Sequence, residues 1–146
     1  MKGAPATPNQ VEEPKQTHPL IENESAKRFA VEAARLAAAT RCHNVSVLDV
    51  RGLSPVTDYL VLATGTSSRQ MKTVADELEE LGGNAGNPML SRAGDESTSN
   101  WIAIDFFDVV IHVFDQEGRM YYDLDGLWGD APKVEWEAAA AATASV

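Results

Sequence analysis

Apolar positions along the chain recur first at helical and then at strand spacing. From Ala26 to Thr40, residues Phe29, Ala33, Leu36 and Ala37 share one helical stripe, and the many alanines favour helix. Ser25, just before the stripe, is a suitable N-cap. The segment Val45 to Val50 is rich in β-branched residues and stops at Gly52, which predicts a strand. A turn at Ser54-Pro55 follows. Tyr59-Leu60-Val61-Leu62-Ala63-Thr64 is then an unbroken apolar run of strand length, the pattern of a strand covered on both faces. Gly65-Thr66-Ser67-Ser68 opens a second helix whose stripe is Met71, Val74, Leu78 and Leu81, with Gly82-Gly83 as the expected stop. A short strand near Met89 to Ser91 comes next. The runs Trp101 to Asp105 and Asp108 to Phe114 predict a hairpin around Phe106-Phe107. Met120, Tyr121, Leu124, Leu127 and Trp128 fit a short amphipathic helix, weakened by Gly118 and Gly126. This order predicts an α/β domain with a mixed sheet of about five strands flanked by helices.

The flanks read differently. Residues 1–24 hold four of the seven prolines and few apolar side chains, which predicts a disordered tail. The folded domain is expected over residues 25–133, with a flexible alanine-rich tail over 134–146. No apolar run approaches the roughly 20 residues that a membrane helix needs, and the N-terminus lacks the apolar stretch of a signal peptide. The single cysteine, Cys42, has no partner for an internal disulfide. A soluble cytoplasmic protein is the expectation.

Charge changes the picture when it is located. The formal net charge is −10, and nearly all of it lies between Asp95 and Glu137, where eleven acids face only Arg119 and Lys133. Such a region repels phosphate backbones, so little direct nucleic-acid binding is expected. It favours a basic protein partner instead, although solubility alone also accounts for an acidic surface. The same third carries Trp101, Phe106, Phe107, Tyr121, Tyr122 and Trp128. Aromatic side chains beside acids suit a protein-binding surface, while core packing is the ordinary role of any one of them.

Candidate chemistry adds little. The Gly65–Ser68 junction could hold a phosphate at a helix N-terminus, but it lacks the P-loop lysine and the dinucleotide glycine series, and helix capping explains it as well. Asp105 and Asp108 are three residues apart around a turn, whereas two carboxylates chelating a metal from one strand should be two apart. Asp123 and Asp125 sit in a helical segment where that spacing diverges. Cys42 and His43 are sequence neighbours without a nucleophile motif, and His112, in an apolar strand, reads as a hydrogen-bonded structural histidine. No catalytic, metal or cofactor set emerges. The enzyme alternative would be a nucleotide-binding protein using Gly65–Ser68 with Asp105 or Asp108.

Ser54-Pro55-Val56-Thr57-Asp58-Tyr59, then Ala63-Thr64-Gly65-Thr66-Ser67-Ser68-Arg69-Gln70, resemble the signature of the Iojap-like ribosomal silencing factors. Trp101, Asp105, Asp108 to Phe114, Arg119, Tyr122 and Leu127-Trp128-Gly129-Asp130-Ala131 continue the resemblance, which covers about residues 26–133. It implies a nucleotidyltransferase-like α/β fold without the catalytic acids and without enzymatic activity. It also implies docking on the large ribosomal subunit through the universal large-subunit ribosomal protein number fourteen. Bulk would then block joining of the small subunit and repress translation under nutrient limitation. The positions this resemblance carries over as contact residues are Trp101, Asp105, Asp108, Tyr122 and Trp128, with Asp58 and Tyr59 beside them. A homodimer with a self-complementary aromatic patch is compatible with such binding. In one respect the chain departs from the pattern: Phe107 stands where family members often have glycine, at a turn that calls for positive φ.

Overall fold

The computed structural model describes residues 22–95 and 100–137; the terminal stretches 1–21 and 138–146, expected as tails, lie outside the described residues. Helix α1 spans Glu24–Ala39 and is capped by Asn23 rather than Ser25, the Asn23 side-chain oxygen accepting from the Ala26 amide at 3.3 Å. Asparagine and serine are comparably good N-cap residues. What favours Asn23 is tertiary: its amide nitrogen also donates to Asp58 and Asp108, 35 and 85 residues away. Strands β1 (His43–Asp49) and β2 (Tyr59–Thr64) follow, then helix α2 (Ser68–Asn84), strands β3 (Ser91–Ala93), β4 (Trp101–Asp105) and β5 (Val109–Phe114), and two short helices, α3 (Gln116–Tyr122) and α4 (Leu124–Leu127).

The five strands form one sheet in the order β1-β2-β5-β4-β3. The β2–β5 pair is parallel and the others are antiparallel, so the sheet is mixed. Both α1 and α2 pack on one face, where Phe29, Ala33, Val74 and Leu78 meet Val61, Ile104 and Ile111. A smaller apolar cluster occupies the opposite face, with Leu48, Leu60, Leu62 and Phe114 beneath Leu124, Trp128 and Ala131. Strand β2 lies between β1 and β5 with a layer on each side, and all six of its residues are buried. That is the arrangement its unbroken apolar run predicts.

Three expectations change. Helix α2 does not stop at Gly82-Gly83 but continues to Asn84. Gly82 is there for packing: a Cβ on it would come within 2.5 Å of the Phe106 ring and 2.6 Å of the Asn87 carbonyl oxygen. The expected C-terminal helix is broken into α3 and α4 at Asp123, which adopts a left-handed conformation (φ 48°, ψ 52°) and caps α4 through the Gly126 amide. The break therefore falls at an aspartate, a residue that tolerates this region, and not at either glycine. Finally, the chain stays fastened beyond residue 133. The Val134 amide donates to the Val47 carbonyl at 2.8 Å, and the Trp136 indole donates to the Val45 carbonyl at 3.2 Å. These bonds cover the outer edge of β1, where unpaired backbone would otherwise be open to another strand.

Candidate functional site

The period of two along β4 turns Ile102 and Ile104 into the helix-covered core and Trp101, Ala103 and Asp105 to the opposite face. Register on β5 sets Phe114, His112 and Val110 directly beside them. The part of this face over β1 and β2 is closed by α4 and the segment after it. Toward β4 and β3 it opens: among the described residues Trp101, Ala103, Asp105, Val110 and His112 are only half-buried, and Ser91 and Ala93 are exposed.

Trp101 organises the α3 end of the open face. Its ring lies 4.4 Å from that of Tyr122 and 5.3 Å from that of Phe114, and its indole N–H donates to His112 Nδ1 at 3.0 Å. Trp128 belongs to the same apolar cluster. Accepting at Nδ1 places the His112 proton on Nε2 and requires an uncharged ring, and burial pushes the imidazole down from its usual 6.5 to about 4. The histidine is thus the hydrogen-bonded structural one that its strand context predicted.

A pH dependence follows. Between pH 6.5 and 4 the unfolded chain binds a proton at this histidine while the folded one does not, so stability falls as the solution is acidified through that window. The loss is expected to reach about 2 kcal/mol, allowing for the ring's partial exposure. Urea unfolding at pH 7 and pH 4.5 checks it against His112→Gln, which can still accept from Trp101 but does not titrate in this range. Equal losses in both proteins would remove His112 as the cause.

Asp105 lies at the other end of β4, about 13 Å from Trp101 for four residues of strand. Its carboxylate accepts from the Phe107 amide at 2.8 Å and shapes the hairpin turn. Phe107 itself has φ +79° and is 65% exposed, so the positive φ is kept although the residue is not glycine. Asp58 and Asp108 are brought together, but around the Asn23 side chain at the start of α1, at 2.9 and 3.2 Å. Tyr59 is 1% exposed, within the helix-side core. Its ring offers no surface to a partner, and it leaves the contact set for that reason. The expected contact residues therefore divide four ways: Trp101, Tyr122 and Asp105 at the open face, Trp128 in the layer that closes its other half, Asp58 and Asp108 clamping α1, and Tyr59 inside.

Many of the acids prove to have local partners. Asp115 caps α3 through the Gly118 amide at 2.7 Å, Asp123 caps α4, and Asp95 pairs with Arg92. Asp125 binds Arg119 in a bidentate fork at 2.7 and 3.0 Å, which holds its carboxyl below the usual carboxylate range. Arg119 also reaches the Thr64 hydroxyl at 3.0 Å and the Asn44 carbonyl at 2.8 Å, tying both short helices to β1 and β2. These carboxylates serve the fold as helix caps and ion-pair partners.

At the Gly65–Ser68 junction, helix capping is what the structure contains. Ser67 Oγ accepts from the Gln70 amide at 3.0 Å, and the Thr66 amide donates to Gln70 Oε1 at 2.9 Å. Two amides that a phosphate would need are occupied by the protein itself. Cys42 is buried, and burial pushes its thiol pKa up, whereas the neighbouring His43 is exposed.

Sequence reasoning missed several surface residues. Met120, Tyr121 and Leu127 are 71%, 79% and 70% exposed instead of forming a buried helical stripe. Tyr121 touches the Tyr122 ring edge-on at 5.0 Å, which continues the aromatic surface outward from Trp101. The signal that could have revealed this is the brevity of α3, which cannot turn a full apolar stripe inward.

The described residues thus form an α/β sheet with one half-open aromatic face and helix-capping bonds at the Gly65–Ser68 junction. Comparison with known proteins gives the family. Residues 23–145 match the sequence profile of the family described as ribosomal silencing factor during starvation, and the chain belongs to that family. A ribosomal silencing factor RsfS of Halalkalibacterium halodurans is 37% identical over 97 residues, covering 66% of this chain and 82% of its own. The Bacillus subtilis protein of the same name is 36% identical over 92 residues, with 63% and 77% covered. A crystal structure of a Chromobacterium violaceum protein superimposes with a TM-score of 0.65 at 31% identity, over 75% of this chain and 88% of the other.

Proposed function

We propose that this protein binds the large ribosomal subunit and silences it by occupancy. The open β3–β4–β5 face would dock on the universal large-subunit ribosomal protein number fourteen, and the rest of the domain would obstruct the small subunit. Translation falls as subunits fail to join, chiefly when nutrients are limiting. The observation that carries this reading is the half-exposed Trp101–Tyr122 pair on an open sheet face within a family of ribosomal silencing factors. Aromatic anchors supply most of the affinity at such surfaces, and surrounding acids raise the rate of encounter with a basic partner.

Sedimentation of the pure protein with bacterial large subunits tests the proposal, and absence from the large-subunit fraction would sink it. The electrostatic part has its own test. Asp105→Asn with Asp108→Asn keeps oxygen acceptors for Phe107 and Asn23 while removing two charges. Association is expected to slow several-fold at low salt, with the difference shrinking as the screening length falls below about 8 Å. A difference unaffected by salt would point to lost contacts and not to steering.

A further inference from the structure

The hairpin between β4 and β5 holds an exposed aromatic ring in a backbone conformation that side chains rarely adopt. Phe107 sits at φ +79° between the Phe106 carbonyl and the Asp108 amide, which bond to each other at 3.1 Å across it. A three-residue turn of this hand is strained for any residue with a Cβ. Three further contacts make it rigid. The Phe107 amide donates to Asp105 Oδ1 at 2.8 Å, and the Phe106 amide donates to the Val109 carbonyl at 2.9 Å. The Phe106 ring is buried edge-on against Phe29 at 4.9 Å. One phenylalanine of the pair thus anchors the turn inward, while the next points its ring to solvent, 65% exposed. Core packing does not explain why a phenylalanine occupies this position.

We infer that Phe107 is an aromatic anchor for the protein partner, fitting an apolar socket rimmed by lysine or arginine. This inference rests on the ribosome-binding reading above and extends its surface to the hairpin tip. Charge complementarity specifies the chemistry of the socket, because the Asp105 carboxylate is held at the turn by the Phe107 amide and would meet a cation beside the ring. The tip is continuous with the open face, since Asp105 is the last residue of the strand that carries Trp101. A turn already fixed by hydrogen bonds loses little freedom on binding, so the ring's burial converts efficiently into affinity. Strain held at a surface turn is also where functional residues concentrate.

The test compares the full chain with Phe107→Gly, Phe107→Asn and Phe107→Tyr for binding to bacterial large subunits and for thermal unfolding. Glycine and asparagine suit the positive φ, so their thermal midpoints are expected at or near that of the parent. Their affinity is expected to fall roughly 10- to 30-fold, while tyrosine stays within about 3-fold. Loss of binding by both variants with unchanged midpoints supports the anchor. Parent and glycine variant binding alike would overturn it and leave the ribosome-binding reading standing. No binding by the parent chain would remove both.

Discussion

Trp101→Ala is expected to weaken binding to the large subunit by about 2 kcal/mol, roughly 30-fold, and to lower the stability of the domain as well. The two effects have separate origins. Stability falls because the ring packs on Tyr122 and Phe114 and its N–H satisfies His112 Nδ1. Truncating a half-buried tryptophan is expected to cost about 2 to 3 kcal/mol, the low end of the range for large aromatic side chains. Binding falls because the exposed part of the same ring lies on the proposed docking face. Trp101→Phe separates them: it keeps the stack and loses the indole hydrogen bond, so it should recover most of the stability. Urea unfolding measures the first effect and subunit sedimentation the second. A folded Trp101→Ala protein that binds like the parent would exclude this face as the docking surface.

Arg119→Ala is expected to cost about 3 kcal/mol of stability, with little direct effect on any contact surface. Its guanidinium joins Asp125 of α4, the Thr64 hydroxyl of β2 and the Asn44 carbonyl of β1, and its side chain is 11% exposed. Removing it leaves the fully buried Thr64 hydroxyl without this donor and loosens the helix that presents Tyr122. Lysine should not restore the loss, because a point charge cannot reproduce a two-pronged bond to a carboxylate. Denaturant midpoints of the alanine and lysine variants decide the matter. A loss below about 1 kcal/mol in both would mean that Arg119 is a surface pair of ordinary value.

Much of the architecture was legible because local patterns had one physical solution. The alternation in β4 and β5, the unbroken run of β2 and the stripe of α2 each specify an element and the layers around it. The site was less legible. Trp101, Asp105 and Tyr122 came from resemblance and lie at the open face, yet Tyr59, adjacent in sequence to the half-buried Asp58, is sealed in the core. Asp58 lies in the bend before β2, whereas Tyr59 is the first residue of a strand that elements elsewhere in the chain cover on both faces. Likewise, the acids read as a surface field include two helix caps, two salt-bridge partners and a turn former.

The amino-acid sequence by itself determined strands β1, β2, β4 and β5, the two long helices and the acidic third, because each depends on residues within a few positions. Tertiary structure alone decided that Asn23 gathers Asp58 and Asp108, that Gly82 makes room for Phe106, and that α4 closes one half of a sheet face and leaves the other half open. Those outcomes depend on which distant segments meet. Local propensity carries no information about that meeting; it is set by how the apolar faces of the whole chain can be buried at once.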